Sequence, residues 1–154
     1  RRQDPSIGVF YLSIKHVMIP KVLNTNEVKS RAGVEVEFQQ IDDTGRKLLF
    51  SKVGAVPNAD ELLTVSHQST GSGVKEVRRS MCRVDIESAG VDGSTITTSA
   101  HLVLTVPIGN SANYDLAKES LARLGSFVFL TGADSTFIYA GTGTGADSLI
   151  NGTK

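Results

Sequence analysis

The chain has 154 residues, 40% hydrophobic and 21% charged, which suits one globular domain and excludes the compositions of disordered segments and apolar membrane bundles. Its 16 Lys plus Arg balance 16 Asp plus Glu, so any nucleic-acid surface must come from local placement rather than global charge. A single cysteine, Cys82, excludes an internal disulfide and a multi-cysteine metal site. No run reaches the ~20 apolar residues of a spanning helix, and the opening Arg1, Arg2, Gln3, Asp4, Pro5 leads into no signal-peptide pattern, so neither export nor membrane insertion is expected.

In chain order, residues 7–19 (IGVFYLSIKHVMI) are rich in β-branched and aromatic side chains and bounded by Pro5 and Pro20, which predicts a strand covered on both faces or packed against another subunit. Residues 21–32 are polar and aperiodic, a loop or short helix. The alternation of Val34, Val36 and Phe38 with Glu35, Glu37 and Gln39 predicts a half-buried strand over 34–41. A turn from Asp42 to Gly45 then leads to a returning strand at 47–50. After the breakers Gly54, Pro57 and Asn58, strands at 61–69 and 75–87 form a hairpin around Gly71 and Gly73. A second turn, 88–94, contains Gly90 and Gly93 and has room to flex. It precedes a long Thr/Val/Leu-rich strand over 95–108 that Pro107 should end.

From there the period changes to that of a helix. Tyr114, Ala117, Leu121 and Leu124 share one face, with Asn113 placed to cap the start and Gly125 to end it. Residues 126–140 read as a short second helix or an irregular packing segment, and 141–154 as an extension with little structure of its own. The pentapeptide TGADS occurs at 131–135 and again at 144–148, too short a recurrence to make a repeat fold. The whole is an α+β chain in one domain: N-terminal strands over 1–53, central antiparallel strands over 54–108, a helical region over 109–140 and the extension. One short sheet offers limited surface for an amphipathic helix, so a dimer is expected.

Three stretches in this order resemble the coat proteins of leviviruses, the small single-stranded RNA phages. GAVPNADELLTVSHQS at 54–69 resembles that family's loop into its fourth strand, KEVRRSMCRVDI at 75–86 its basic fifth strand, and HLVLTVPIGNSANYDLAKESLARL at 101–124 its LTIPI strand end, polar turn and first helix. The resemblance spans about residues 46–125. It implies an N-terminal β-hairpin, a five-stranded antiparallel sheet and one or two C-terminal helices that clasp a partner's sheet in an intertwined homodimer. Such dimers build an icosahedral shell around viral RNA in the bacterial host, with the sheet facing the genome and in many members binding an RNA hairpin.

Strand alternation puts Cys82, Val84 and Ile86 on one face, and Arg79, Met81, Arg83 and Asp85 on the other. Likewise Leu63 and Val65 oppose Thr64, Ser66 and Gln68. The apolar set is expected beneath the helices. The polar set resembles the family's RNA face, with Lys75 and Arg78 adding charge near the turn; arginine forks pair with phosphate and stack on bases. Such charges also suit plain solvation of an exposed sheet. Ser99, His101 and Val103 stand where known members carry tyrosine, amide and acidic contacts, so the base-stacking tyrosine is absent and any hairpin is read differently. Tyr114, Ala117, Leu121 and Leu124 are the expected dimer interface.

Other chemistry finds little support. His16, His67 and His101 are widely separated, and no metal-binding spacing links them. The GTGTG run at 141–145 lacks the Lys and the strand-to-helix setting of a phosphate loop. No catalytic residue, metal, cofactor, small-molecule substrate or membrane partner is expected. The competing readings are a dimeric RNA-binding regulator that forms no shell and a small α+β enzyme.

Overall fold

The computed structural model describes residues 18–56, 59–108, 112–130 and 136–152. Most of the strand expected at 7–19 lies outside the described residues. Six strands form one antiparallel sheet in sequence order: β1 (Val22–Leu23), β2 (Phe38–Asp43), β3 (Lys47–Lys52), β4 (Glu61–Thr70), β5 (Val77–Ala89) and β6 (Thr95–Pro107). Two helices follow, α1 (Ala112–Phe129) and α2 (Thr144–Asn151). The described sheet thus has six strands where five were expected, the extra one being the two-residue β1.

The turns explain the meander. Gly45 and Gly93 take positive φ, where glycine avoids the Cβ clash that other residues meet. In the first turn the Gly45 amide donates to Asp43 Oδ1 at 2.7 Å. In the β5–β6 turn the Asp92 carboxylate accepts from the Ser94 amide at 3.1 Å, and the Gly90 amide donates to the Ser94 carbonyl at 2.7 Å. The 88–94 segment is therefore a closed, hydrogen-bonded hairpin turn, more tightly built than its glycines suggest.

The alternating residues 34–37 do not extend β2. They fold back locally, with the Val36 amide donating to the Val28 carbonyl at 2.9 Å and Lys29 bridging to Glu35. Val28 and Val36 thereby reach the core of Leu23, Phe38, Phe50 and Leu63, all on one sheet face. A bulge between Gln40 and Asp42 breaks the register and leaves Ile41 exposed.

This core lies under only one side of the sheet. On the same face β5 and β6 present Cys82, Ile86, Ile96 and Leu102, and Ile86 (46%), Ile96 (51%) and Leu102 (36%) stay open to solvent. The helices were expected above this apolar set and are not there in the single chain. α1 rises from the end of β6, with Asn113 Nδ2 donating to the Pro107 carbonyl at 2.8 Å rather than capping the helix from outside. It packs on β6 and α2.

Gly125 does not end α1, which continues to Phe129. Glycine costs a helix about 1 kcal/mol relative to alanine, and here the last turn is held from elsewhere. Phe129 stacks on Phe137 with centroids 4.6 Å apart, and the Ile138 amide donates to the Phe129 carbonyl at 2.9 Å. Lys29 sits 5.6 Å above the Tyr139 ring, tying this segment to the 28–36 loop.

The Gly/Thr-rich 141–154 segment also departs from expectation, since α2 forms within it and ends on Gly152 in the left-handed region. The second TGADS copy makes its first turn; the first copy lies outside the described residues. Buried Gly145 sits directly on the α1 backbone: a Cβ there would overlap the Phe127 carbonyl oxygen and lie 2.7 Å from its carbon. Gly145→Ala is expected to force the two helices apart and destabilise the fold by about 1–3 kcal/mol, read as a lower denaturation midpoint.

Candidate nucleic-acid interface

The strand register settles which side chains share the other face, because directly paired residues in antiparallel strands point the same way. Across β4, β5 and β6 the rows are Leu62, Asp85, Ser99; Thr64, Arg83, His101; Ser66, Met81, Val103; and Gln68, Arg79, Thr105. The structure thus brings Thr64, Ser66, Gln68, Arg79, Met81, Arg83, Asp85, Ser99 and His101 together on the face opposite the core. Thr64 is nonetheless buried at 8% exposure and offers little to a ligand.

Two expected members do not belong to this face. Arg78 pairs with Ser69 and Val106 on the helix side, where its guanidinium donates to the Tyr114 hydroxyl at 3.4 Å. The reason is parity, since Arg78 and Arg79 are neighbours on one strand and point oppositely. Lys75 lies in the short 3-10 turn Gly73–Lys75, exposed at the end of the sheet.

One cation was missed. Lys47 pairs with Ser66 and so projects from the same face, as Leu49 beside Thr64 does. The run KLLFSK reads as a core strand, and only its alternation with buried Phe50 on the other side signals that Lys47 faces the polar rows. The ion pairs among the described residues involve neither Lys47 nor Arg79.

Arg83 is differently placed. Its Nε donates to Asp85 Oδ1 at 2.8 Å and one terminal nitrogen donates to Ser99 Oγ at 3.2 Å, while the Ser99 hydroxyl donates to the same Asp85 oxygen. The Ser99 hydrogen bond, then the Arg83 hydrogen bond and charge, then the nearby His101, hold the Asp85 carboxyl below its ordinary range. Asp85 therefore remains an anion throughout neutral pH.

On the core side, Tyr114, Ala117 and Leu121 line a cleft of about 240 Å³ between α1 and the chain's own Arg78, Ser80, Leu104 and Val106. Leu124 is exposed. Cys82 lies open on this face, but burial of its surroundings pushes the thiol pKa up and makes it a poor nucleophile. His67 Nδ1 lies 2.9 Å from Ser80 Oγ, yet among the described residues no carboxylate orients the imidazole as a hydrolytic triad needs. No group of three or more metal-ligating side chains occurs among the described residues, and no described helix is long and apolar enough to cross a membrane.

The antiparallel meander followed by two helices is a fold that this chain shares with solved bacteriophage coat-protein structures. The coat protein of bacteriophage EMS014 is similar at a TM-score of 0.58 and 12% identity, over 77% of this chain and 87% of that one. A virus-like particle of the same phage gives 0.53 at 14% identity (76% and 86% covered), and one of bacteriophage AVE015 gives 0.50 at 13% (85% and 87% covered). No protein-family model and no curated protein sequence matches the chain.

Proposed function

We propose that this chain is the coat subunit of a single-stranded RNA bacteriophage, pairing as a homodimer, assembling into an icosahedral shell and lining its interior with the polar sheet face. The observation that carries this reading is the unfinished state of the isolated chain. Among the described residues β6, 13 residues long, is an edge strand that pairs on one side only, and it carries neither the charges nor the internal proline that keep exposed edges apart. Next to it, Ile86, Ile96 and Leu102 lie bare, while α1 exposes Leu116, Leu124 and Phe127. A second copy satisfies both needs: its β6 continues the sheet and its helices cover the apolar half. The same pairing doubles the surface that holds Lys47, Arg79 and Arg83; Asp42, Asp85 and Glu87 share this face by register, so RNA contact there rests on individually placed cations, Lys47 and Arg79 foremost, rather than on a net positive field.

Negative-stain electron microscopy of the chain expressed alone tests the reading. Uniform closed particles are expected; small oligomers alone, at every salt concentration, would overturn the coat assignment in favour of a shell-free RNA-binding dimer. Within such particles, Arg79→Ala combined with Arg83→Ala is expected to leave assembly intact and to lower nuclease-protected RNA roughly several-fold. The salt dependence of RNA binding should flatten by about 0.7 in log–log slope for each phosphate that the variant no longer neutralises. Unchanged RNA content per particle would remove these arginines from the interface.

A further inference from the structure

The cleft of about 240 Å³ between α1 and the sheet takes no part in the polar face, because it lies on the opposite side of β5 and β6. It sits at the Pro107 end of β6, whereas Ile86 and Ile96, left bare for a second copy, sit at the 88–94 turn end. Its walls are apolar: Leu104 and Val106 from β6 face Ala117 and Leu121, one turn apart on α1. Its polar members are two cations, Arg78 and Lys118, and the hydroxyls of Ser80 and Tyr114. Among the described residues no carboxylate lines it. The acidic residues next to it in sequence, Glu76 and Asp115, lie outside the lining, and Asp115 is bound to Lys118 at 3.1 Å.

Arg78 gives the cleft its selectivity. Half-buried beside Val106, its guanidinium donates to the Tyr114 hydroxyl at 3.4 Å and enters none of the ion pairs among the described residues. A charge held over apolar surface with only a neutral partner is costly, and an anion bound there offsets the cost. The planar fork of an arginine matches the two oxygens of a carboxylate. The Tyr114 hydroxyl, which accepts from Arg78, gives its own hydrogen to no acceptor among the described residues and can donate to the same head. Volume bounds the rest of the ligand: at about 30 Å³ for each water-sized group, the cleft accommodates roughly eight of them.

We infer that this cleft binds a medium-chain monocarboxylate, a fatty acid of about eight to ten carbons, its head on the Arg78 fork and its tail along Leu104, Val106, Ala117 and Leu121. An anion without a tail gains nothing from the walls, and a tail without an anion leaves Arg78 unpaired. Occupancy therefore needs both parts of the ligand. The inference stands apart from the coat reading, since every residue it uses belongs to one chain and lies off the polar face.

Equilibrium dialysis of the intact chain against octanoate, 1-octanol and acetate, each below the concentration at which it self-associates, tests the site. Saturable binding of one octanoate per chain is expected, with octanol weaker on the order of tenfold, the effect of losing a charge-assisted hydrogen bond, and no saturable uptake of acetate. Arg78→Met is expected to weaken octanoate on the order of tenfold and to leave octanol unchanged, so that retained octanol binding also reports an intact fold. Ala117→Leu, which fills the cleft, is expected to abolish both at unchanged far-ultraviolet circular dichroism. Equal affinity for octanoate and octanol, with Arg78→Met altering neither, would overturn the proposal and mark an apolar crevice. Binding that survives Ala117→Leu would overturn it by placing the ligand elsewhere, on the bare apolar half of the sheet. An intact chain that takes up no octanoate at millimolar concentration would overturn it too, leaving the cleft as a packing gap.

Discussion

Leu102→Arg is expected to abolish closed particles and to leave the chain monomeric by size-exclusion chromatography with light scattering. Leu102 pairs with Cys82 on the core-side face of β6 and is 36% exposed in the single chain. A guanidinium there reaches solvent as long as the chain stays alone, so far-ultraviolet circular dichroism should be nearly unchanged. In the proposed dimer the position sits under the partner's helices. An uncompensated buried charge costs about 3–5 kcal/mol, which at 1.4 kcal/mol per decade weakens association by roughly two to three orders of magnitude. Particles from this variant with wild-type yield and morphology would show that the bare apolar half is not an assembly surface.

Phe50→Ala is expected to have the largest effect on the subunit itself. Phe50 has no exposed surface, faces Leu63 and Gln40 across its two neighbouring strands, and belongs to a core whose other buried members, among the described residues, are Leu23, Phe38 and Leu63. Truncating a buried phenylalanine costs about 3–5 kcal/mol through forfeited transfer energy and the cavity left behind. A core this small has little else to absorb the change. Thermal denaturation at fixed protein concentration should fall by about 6–20 °C, taking roughly 2–4 °C per kcal/mol for a chain of this size. A shift below a few degrees would mean that stability resides mainly in contacts between subunits.

The strands from β3 to β6 and most of α1 were legible because their signals are local. Period-two alternation, turn glycines at 45, 71 and 93, and the helical spacing of Tyr114, Ala117 and Leu121 each depend only on near neighbours. The misread segments depend on distant partners. Residues 34–37 alternate as a strand should, yet they pair back on Val28 and Lys29, which no local pattern reveals. Gly125 looks like a stop, and the aromatic contacts of Phe129 with the 136–139 segment carry the helix past it. α2 hides in a stretch with poor helix propensity because its position is set by the close approach of Gly145 to Phe127, a tertiary contact.

The candidate interface was legible to the extent that face parity was applied. It sorted Arg79, Met81, Arg83 and Asp85 correctly, and its omission at Lys47 and Arg78 produced one missed cation and one misplaced one. The bond network joining Arg83, Asp85 and Ser99 needed the β5–β6 register, since Asp85 and Ser99 are opposite each other only when thirteen residue pairs align from Val77 with Pro107 to Ala89 with Thr95.

If the half-covered sheet is completed by a second copy, as proposed, the fate of a newly made chain becomes a matter of mass action. A species stabilised by binding its own kind gains stability in proportion to the logarithm of its concentration. Below the concentration at which copies meet, each chain carries an open strand edge and bare isoleucines and leucine, and is correspondingly vulnerable to proteolysis and misassociation. In the proposed dimer, pairing closes those surfaces as synthesis proceeds and lengthens the lifetime of every later chain. On the coat-subunit proposal, accumulation is then self-reinforcing: dilute subunits are removed, concentrated ones persist, and the proposed shell forms from a pool that has already passed this threshold.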